Sequence, residues 1–237
     1  MSRRFIQKIK KDKDPITLAV LSAGAGSRIK SHEPRSLIKI KGIPLLLHQI
    51  QALTSFFSKG EIIVAVGCHA NKIIKRIPRD IRVIENQLHE TTGAVESLRL
   101  VVNNSVANRM FITHGDIFFT AHDLEGSDFS KSFIIVDTQN RMSEREVGVV
   151  STDDIVNTFS YGLKTKWCQV VYLAEKEFLI LQQLFLKNGE SYEKMLTFEV
   201  LNLIINKGGS FVCREPDGMK LFEIDSMRDL KNENIDI

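Results

Sequence analysis

The sequence predicts an α/β protein, with a mostly parallel central sheet flanked by helices in a three-layer sandwich, built as a single domain. Three observations carry that expectation. The first half alternates short apolar runs with helix-spaced segments in a β-α-β-α-β-α-β order. The first run, ITLAVLS, is almost continuously apolar, as in a strand buried on both faces. The chain has 237 residues, 43% hydrophobic and 26% charged, with 14 Gly and 5 Pro. That is enough for a full core and too mixed for disorder or collagen-like repeats.

Ile16 to Ser22 is the first strand and runs directly into Ala23-Gly24-Ala25-Gly26-Ser27. Pro44 to Phe57 has apolar residues near helical spacing, with proline in the first turn where a missing N–H costs nothing. Glu61 to Val66 is a second buried strand, followed by Gly67 and a short helix over Asn71 to Ile77. Arg82 to Ile84 is a third strand, Gly93 to Val102 a helix, and Arg109 to Thr113 a fourth strand. The second half is less regular. Phe133 to Val136 and Gln169 to Leu173 read as strands, and Glu175 to Leu186 and Tyr192 to Asn206 as helices. Phe211 to Cys213 and Lys220 to Ile224 read as short strands, and Ser226 as the cap of a last short helix. With no Pro/Gly/Ser-rich linker, residues 15–237 read as one domain behind a basic extension, residues 1–14.

The formal net charge of +3 belongs to that extension, which holds six basic and two acidic residues; the rest holds 26 basic and 27 acidic. A near-neutral body without aromatics interleaved among basic residues makes nucleic acid an unexpected partner. The longest apolar runs, Ile62 to Val66 and Ile43 to Leu47, fall far short of the roughly 20 residues of a membrane span, so no membrane is expected. No apolar stretch of seven or more residues follows the basic residues as in a secretory signal. Cys68, Cys168 and Cys213 are odd in number, far apart and in no metal-ligand spacing. They read as reduced thiols of a cytoplasmic protein.

Gly24-Ala25-Gly26-Ser27-Arg28, followed by Pro34-Arg35-Ser36-Leu37, is the strongest chemical signal. A glycine turn after a first strand lets backbone N–H groups approach phosphate oxygens, and Arg28 adds a cation suited to them. The alternative is a plain flexible turn. A dinucleotide fingerprint would need a third glycine where Ile29 stands. Thr113-His114-Gly115-Asp116 ends the fourth strand, where open α/β sheets bind ligands, and a carboxylate there can hold a divalent cation. Gly-Asp is equally the composition of a turn. Glu223-Ile224-Asp225 places another carboxylate after a short strand, either to cap a helix or to complete a metal site with Asp116.

These segments resemble, in this order, the nucleotidyltransferases that join a nucleoside triphosphate to a sugar phosphate or phospho-alcohol on a glycosyltransferase-A-type fold. AGAGSRIKSHEPRSLIKIKGIPLLLHQI is similar to the family's G-x-G-[ST]-R loop, P-K-x-L and G-x-P-L-L helix start. ENQLHETTGAVESL is similar to the base-contacting segment, FITHGDIFF to the metal-binding Gly-Asp, and FEIDSMRDL to the second metal-binding Asp. The small cytidylyltransferases of phosphocholine-like phospho-alcohols are nearest in size, with Arg145-Glu146-Val147 similar to their middle segment.

The resemblance implies transfer of a nucleoside monophosphate to a phosphorylated acceptor with release of pyrophosphate. It implies Mg²⁺ on Asp116 and Asp225, and nucleotide contacts from Ser22, Ala23, Gly24, Ala25, Gly26, Ser27, Gln87, Thr92 and Gly93. Catalytic cations would be Arg28, Arg35 and Lys164. The implied nucleotide is CTP, UTP, dTTP or GTP, and Tyr161, Trp167 and Tyr172 are candidates for an aromatic cage around a quaternary ammonium. One departure stands out: Arg35 occupies the place of the family's lysine, keeping the charge but replacing a point ammonium with a planar fork. A non-catalytic nucleotide- or sugar-phosphate-binding module is the alternative.

Overall fold

A computed structural model describes residues 15–24, 34–140 and 142–224. The basic extension, Ser226 and the residues from 225 onward lie outside that description.

Among the described residues thirteen strands and five α-helices follow one another. They are β1 (Ile16–Ser22), β2 (Lys39–Ile40), β3 (Ile43–Pro44), α1 (Leu45–Phe56), β4 (Gly60–Val66), α2 (Ala70–Ile74), β5 (Arg82–Glu85) and α3 (Ala94–Asn103). Next come β6 (Met110–His114), β7 (Ile117–Phe118), β8 (Phe133–Asp137), β9 (Val147–Thr152), β10 (Ile155–Tyr161) and β11 (Thr165–Leu173). The chain continues through α4 (Glu175–Asn188), α5 (Thr197–Asn206), β12 (Val212–Arg214) and β13 (Phe222–Glu223). Nine strands form one sheet in the order β5-β4-β1-β6-β11-β8-β12-β10-β9, with β9 also pairing to β11.

Every residue of β1 is buried because both faces of the sheet are covered. Its Ile16, Leu18 and Val20 join α1 and α2 in one apolar cluster. The alternate residues Ala19 and Leu21 join α3, α4 and α5 in the other. The period of two in a strand thus divides a single run between two cores, which gives the three layers.

The expectation of a mostly parallel sheet is corrected. β5, β4, β1 and β6 are mutually parallel, but β11 runs antiparallel to both β6 and β8. Beyond it β12 is parallel to β8, while β10 is antiparallel to β12 and β9. The sheet is mixed because β11 enters antiparallel between β6 and β8, and because β9 and β10 form a hairpin over the two-residue turn Asp153-Asp154, both with positive φ (50° and 61°). Such turns match the strand twist, and Asp tolerates the left-handed region better than most residues. A smaller hairpin, β2 to β3, turns the same way at Lys41-Gly42.

The helix expected from Tyr192 starts later, at Thr197. A 3-10 turn covers Gly189–Tyr192, and the Glu199 carboxylate accepts the Leu196 N–H at 2.7 Å to fix the helix start.

Tyr172, a candidate for the aromatic cage, is instead fully buried, stacked on Phe133, with its hydroxyl donating to the Phe129 carbonyl at 3.0 Å. Tyr172→Phe is expected to lower stability by about 0.5–1.5 kcal/mol in urea unfolding, since the lost bond leaves the Phe129 carbonyl unmatched.

Candidate functional site

The carboxyl ends of β1 and β6 meet where Gly115 donates its N–H to the Leu21 carbonyl at 2.8 Å. A Cβ on Gly115 would sit 2.7 Å from Ser22 Oγ and 3.1 Å from Ser22 Cα, so glycine permits this approach. Ser22 spends its hydroxyl on Ser36 Oγ at 2.8 Å, within the interior. That bond ties the strand end to the 3-10 turn Arg35–Leu37. From this turn Arg35 reaches across to Asp116, with Nη1 donating to Oδ2 at 2.7 Å; their side chains are only 14% and 19% exposed. Two residues expected as catalytic cation and metal ligand are therefore paired with each other. Buried Gln49 on α1 fixes the turn that carries Asp116, donating to the carbonyls of His114 and Ile117 at 2.7 Å each.

Ala23 is buried and accepts the Cys68 N–H at 2.9 Å. None of the described residues comes within 4 Å of where a Cβ on Gly24 would sit. The remaining loop residues Ala25, Gly26, Ser27 and Arg28 lie outside the described residues, as does Asp225. Its neighbour Ile224 donates its N–H to the Asp116 carbonyl at 2.8 Å, which brings the end of β13 to this site.

The second loop is organised by Asn86, which donates to Thr92 Oγ1 and Ser97 Oγ at 3.1 Å and accepts the Leu88 N–H at 3.0 Å. Thr92 is used internally, its hydroxyl donating to the Leu88 carbonyl at 2.7 Å, whereas Gln87 is exposed. Gly93 likewise spends its N–H on the Glu193 carbonyl at 2.6 Å. A Cβ there would lie 2.5 Å from the Met195 carbonyl oxygen, so this glycine accommodates the segment before α5. Gly93→Ala is expected to cost about 1–3 kcal/mol by overpacking against backbone, read as a lower urea midpoint.

A cavity of about 160 Å³ opens beside this region. Its polar wall includes His114, Glu146, Lys166, Gln169 and Glu223; Tyr161, Trp167 and Phe198 supply aromatic surface. Lys164 does not line it: that side chain is exposed beyond the β10–β11 turn, and Lys166 is the lysine in the cavity. Lys166 is ion-paired with Glu146. Burial alone would raise the Glu146 carboxyl, but Lys166 and the Ser143 N–H outweigh it and hold the group below its ordinary value. Burial likewise works to lower Lys166, but Glu146 outweighs it and raises the ammonium. Both groups are thus charged at neutral pH.

Gln169 sits at φ +58° in an irregularity of β11 between Trp167 and Val171, and donates to Glu223 Oε2 at 2.6 Å. Burial pushes the His114 imidazole below its ordinary value, against the pull of Asp116, and its Nε2 lies 3.0 Å from Thr197 Oγ1. Trp167 Nε1 donates to the Val170 carbonyl, leaving its ring as cavity wall. Burial pushes the Cys168 thiol up to about 12, so it is no nucleophile here. The polar interruptions Lys166 and Gln169 in TKWCQVVYL are the sequence signal for this wall.

Residues 18–126 match the MobA-like NTP transferase domain. The resemblance to nucleotidyltransferases read from the sequence therefore holds. A 108-residue stretch is 32% identical to the bifunctional protein GlmU of Lawsonia intracellularis (strain PHE/MN1-00), covering 44% of this chain and 23% of that protein. The chain thus matches under a quarter of that relative's length. The inositol-1-phosphate CTP transferase of T. maritima superposes with a TM-score of 0.72 at 19% identity, over 92% of this chain and 93% of that one. CTP:phosphocholine cytidylyltransferase of Streptococcus pneumoniae gives 0.68 at 18%, over 92% and 97%. These two carry the nucleotidyltransferase fold across the mixed half of the sheet as well.

Asp116 Oδ1 is buried and has no hydrogen-bond partner among the described residues, while Oδ2 is held by Arg35. No cluster of three or more His, Cys, Asp or Glu suited to a metal occurs among the described residues. A single hard carboxylate fits Mg²⁺, which uses one or two carboxylates and takes its other ligands from water and substrate phosphates. Among the described residues no helix is long and apolar enough to cross a membrane.

Proposed function

We propose that the protein transfers a nucleoside monophosphate from a nucleoside triphosphate to a phosphorylated small-molecule acceptor, with release of pyrophosphate. The observation that carries this reading is the convergence of Arg35 and Asp116 at the carboxyl ends of β1 and β6, next to the cavity of Lys166 and Glu223. His114 and Glu223 line the cavity, and Asp116 lies two residues beyond the first and accepts the N–H of the residue after the second.

In this reading the glycine turn from Ser22 to Ser27, with Arg28 and Arg35, neutralises the triphosphate, and the base lies against the loop from Gln87 to Gly93. The acceptor enters the cavity and presents its phosphate towards Lys166. An acceptor phosphate oxygen attacks the α-phosphorus, the bond from that phosphorus to the bridging oxygen breaks, and pyrophosphate leaves. No general base is required, since a phosphate monoester with a second pKa of about 6 is already a dianion at neutral pH. The protein's contribution is positioning and charge neutralisation. Mg²⁺ on Asp116 and Asp225 would supply further neutralisation of the transferring phosphate.

The acceptor is a sugar 1-phosphate or a phospho-alcohol. Aromatic surface from Tyr161, Trp167 and Phe198 beside Glu146 and Glu223 suits either a sugar face or an alkylammonium head. Pyrophosphate release with CTP, UTP, dTTP and GTP, each against glucose 1-phosphate, inositol 1-phosphate and phosphocholine, tests the reaction and its specificity together. Lys166→Gln is expected to raise the acceptor KM about ten-fold with a small change in kcat, as a charge-assisted contact to phosphate is lost.

A second reading, a non-catalytic nucleotide- or sugar-phosphate-binding module, is favoured by the pairing of Arg35 with Asp116. Measurable NTP binding without pyrophosphate release from any acceptor would establish it and overturn the transferase.

A further inference from the structure

Arg35 and Asp116 come from separate parts of the chain, and each is held in place independently of the other. Arg35 stands on a 3-10 turn anchored by the bond between Ser22 and Ser36. Asp116 stands on a turn clamped by Gln49. The guanidinium contacts Oδ2 at 2.7 Å, while Oδ1 is buried without a hydrogen-bond partner among the described residues. The carboxylate thus keeps acceptor capacity, but a cation drawn to it meets a fixed positive charge on the same group. A divalent ion alone would bring two like charges against the guanidinium. An ion arriving with a triphosphate brings anionic oxygens as well, and these offer the planar fork of Arg35 a second, bidentate partner.

We propose that Arg35 is the resident counter-ion of Asp116 in the nucleotide-free protein and exchanges Asp116 for the triphosphate when a divalent ion arrives with nucleotide. Binding of the ion is thereby conditional on nucleotide. This rests on the reading of Asp116 as a metal ligand in a nucleotidyltransferase. A lysine at position 35 would leave the exchange weaker, because an ammonium lacks the fork that holds carboxylate and phosphate equally well.

The test is Mn²⁺ binding followed by electron paramagnetic resonance in the nucleotide-free protein, comparing wild type, Arg35→Gln, Asp116→Asn, and Arg35→Gln combined with Asp116→Asn. Arg35→Met serves in place of the glutamine variant if that one fails to fold. Removal of the guanidinium is expected to tighten Mn²⁺ binding about 10- to 100-fold, the range of one charge-assisted contact. The double variant should return to wild-type weakness. Equal Mn²⁺ affinity in wild type and Arg35→Gln, with Asp116→Asn weakening both, overturns the exchange and leaves the transferase reading standing. If Asp116→Asn changes Mn²⁺ binding in neither background, the exchange and the metal role of Asp116 both fall, and the pyrophosphate assay alone decides on the transferase.

Discussion

Asp116→Asn is expected to lower pyrophosphate release about 10²–10³-fold, the usual cost of removing one preorganised charge from a transferring group. The substitution keeps the size and one acceptor oxygen of the side chain but removes the charge that holds Arg35 at 2.7 Å. Both partners are more than four-fifths buried, so the guanidinium is left in a poorly solvated position. A stability loss of about 1–3 kcal/mol should accompany the loss of turnover. The two effects separate experimentally, because single-turnover assays at a temperature well below the unfolding transition report only the first. Wild-type turnover in a folded Asp116→Asn protein would remove this residue from the site.

Asp123→Ala is expected to give one of the largest stability losses available from a polar residue, about 2–4 kcal/mol. The side chain is fully buried and accepts three hydrogen bonds: from the Thr120 N–H at 2.7 Å, the Thr120 hydroxyl at 2.8 Å and the Lys220 N–H at 2.7 Å. Its removal orphans two backbone donors at once. Arg214 adds to the same junction by donating to the carbonyls of Asp123 and Glu125. The junction lies directly before β13, so its loss also loosens Glu223 on the cavity wall and the hydrogen bond of Ile224 to Asp116. Urea unfolding at unchanged m-value measures the stability, and a raised acceptor KM in the folded protein measures the effect on the site.

The elements most readable from the sequence are those whose burial is symmetric. Ile16–Ser22 was legible to the residue because both faces of β1 are covered and almost no position needs to be polar. The β9–β10 hairpin escaped because its turn is Asp-Asp. That pair adopts positive φ far less readily than Asn-Gly or Asp-Gly and gives little advance signal. Arg35 and Asp116 were legible as candidates one at a time, through a motif and a strand end. Their contact was not, since the residues are far apart in the chain and meet only through the crossover between β1 and β6.

Lys164 and Lys166 illustrate the limit of short patterns. In L-K-T-K-W the sequence reading points to Lys164, but only Lys166 falls within β11 and on the cavity wall. Gly93 illustrates another. A glycine marks close approach, but the sequence alone does not say whether a ligand or another stretch of backbone approaches. Here the approaching group is the carbonyl of Met195.

The segment that matches a known domain ends at residue 126, but β6 does not end its own sheet there. On one side it pairs with β1, and on the other with β11, which arrives about forty residues after the matched segment closes. A polypeptide cut after residue 126 would therefore present β6 as a bare edge, with buried Met110, Phe111 and Ile112 beside unpaired backbone amides. Such an edge recruits another strand, and in a fragment the available strand belongs to a second molecule. The amino-terminal half should then be recovered as aggregate, and supplying residues 127–224 in trans should restore a soluble complex. In the intact chain the same pairing is expected to place the amides of β11 among the slowest to exchange, because neither half can open without breaking it.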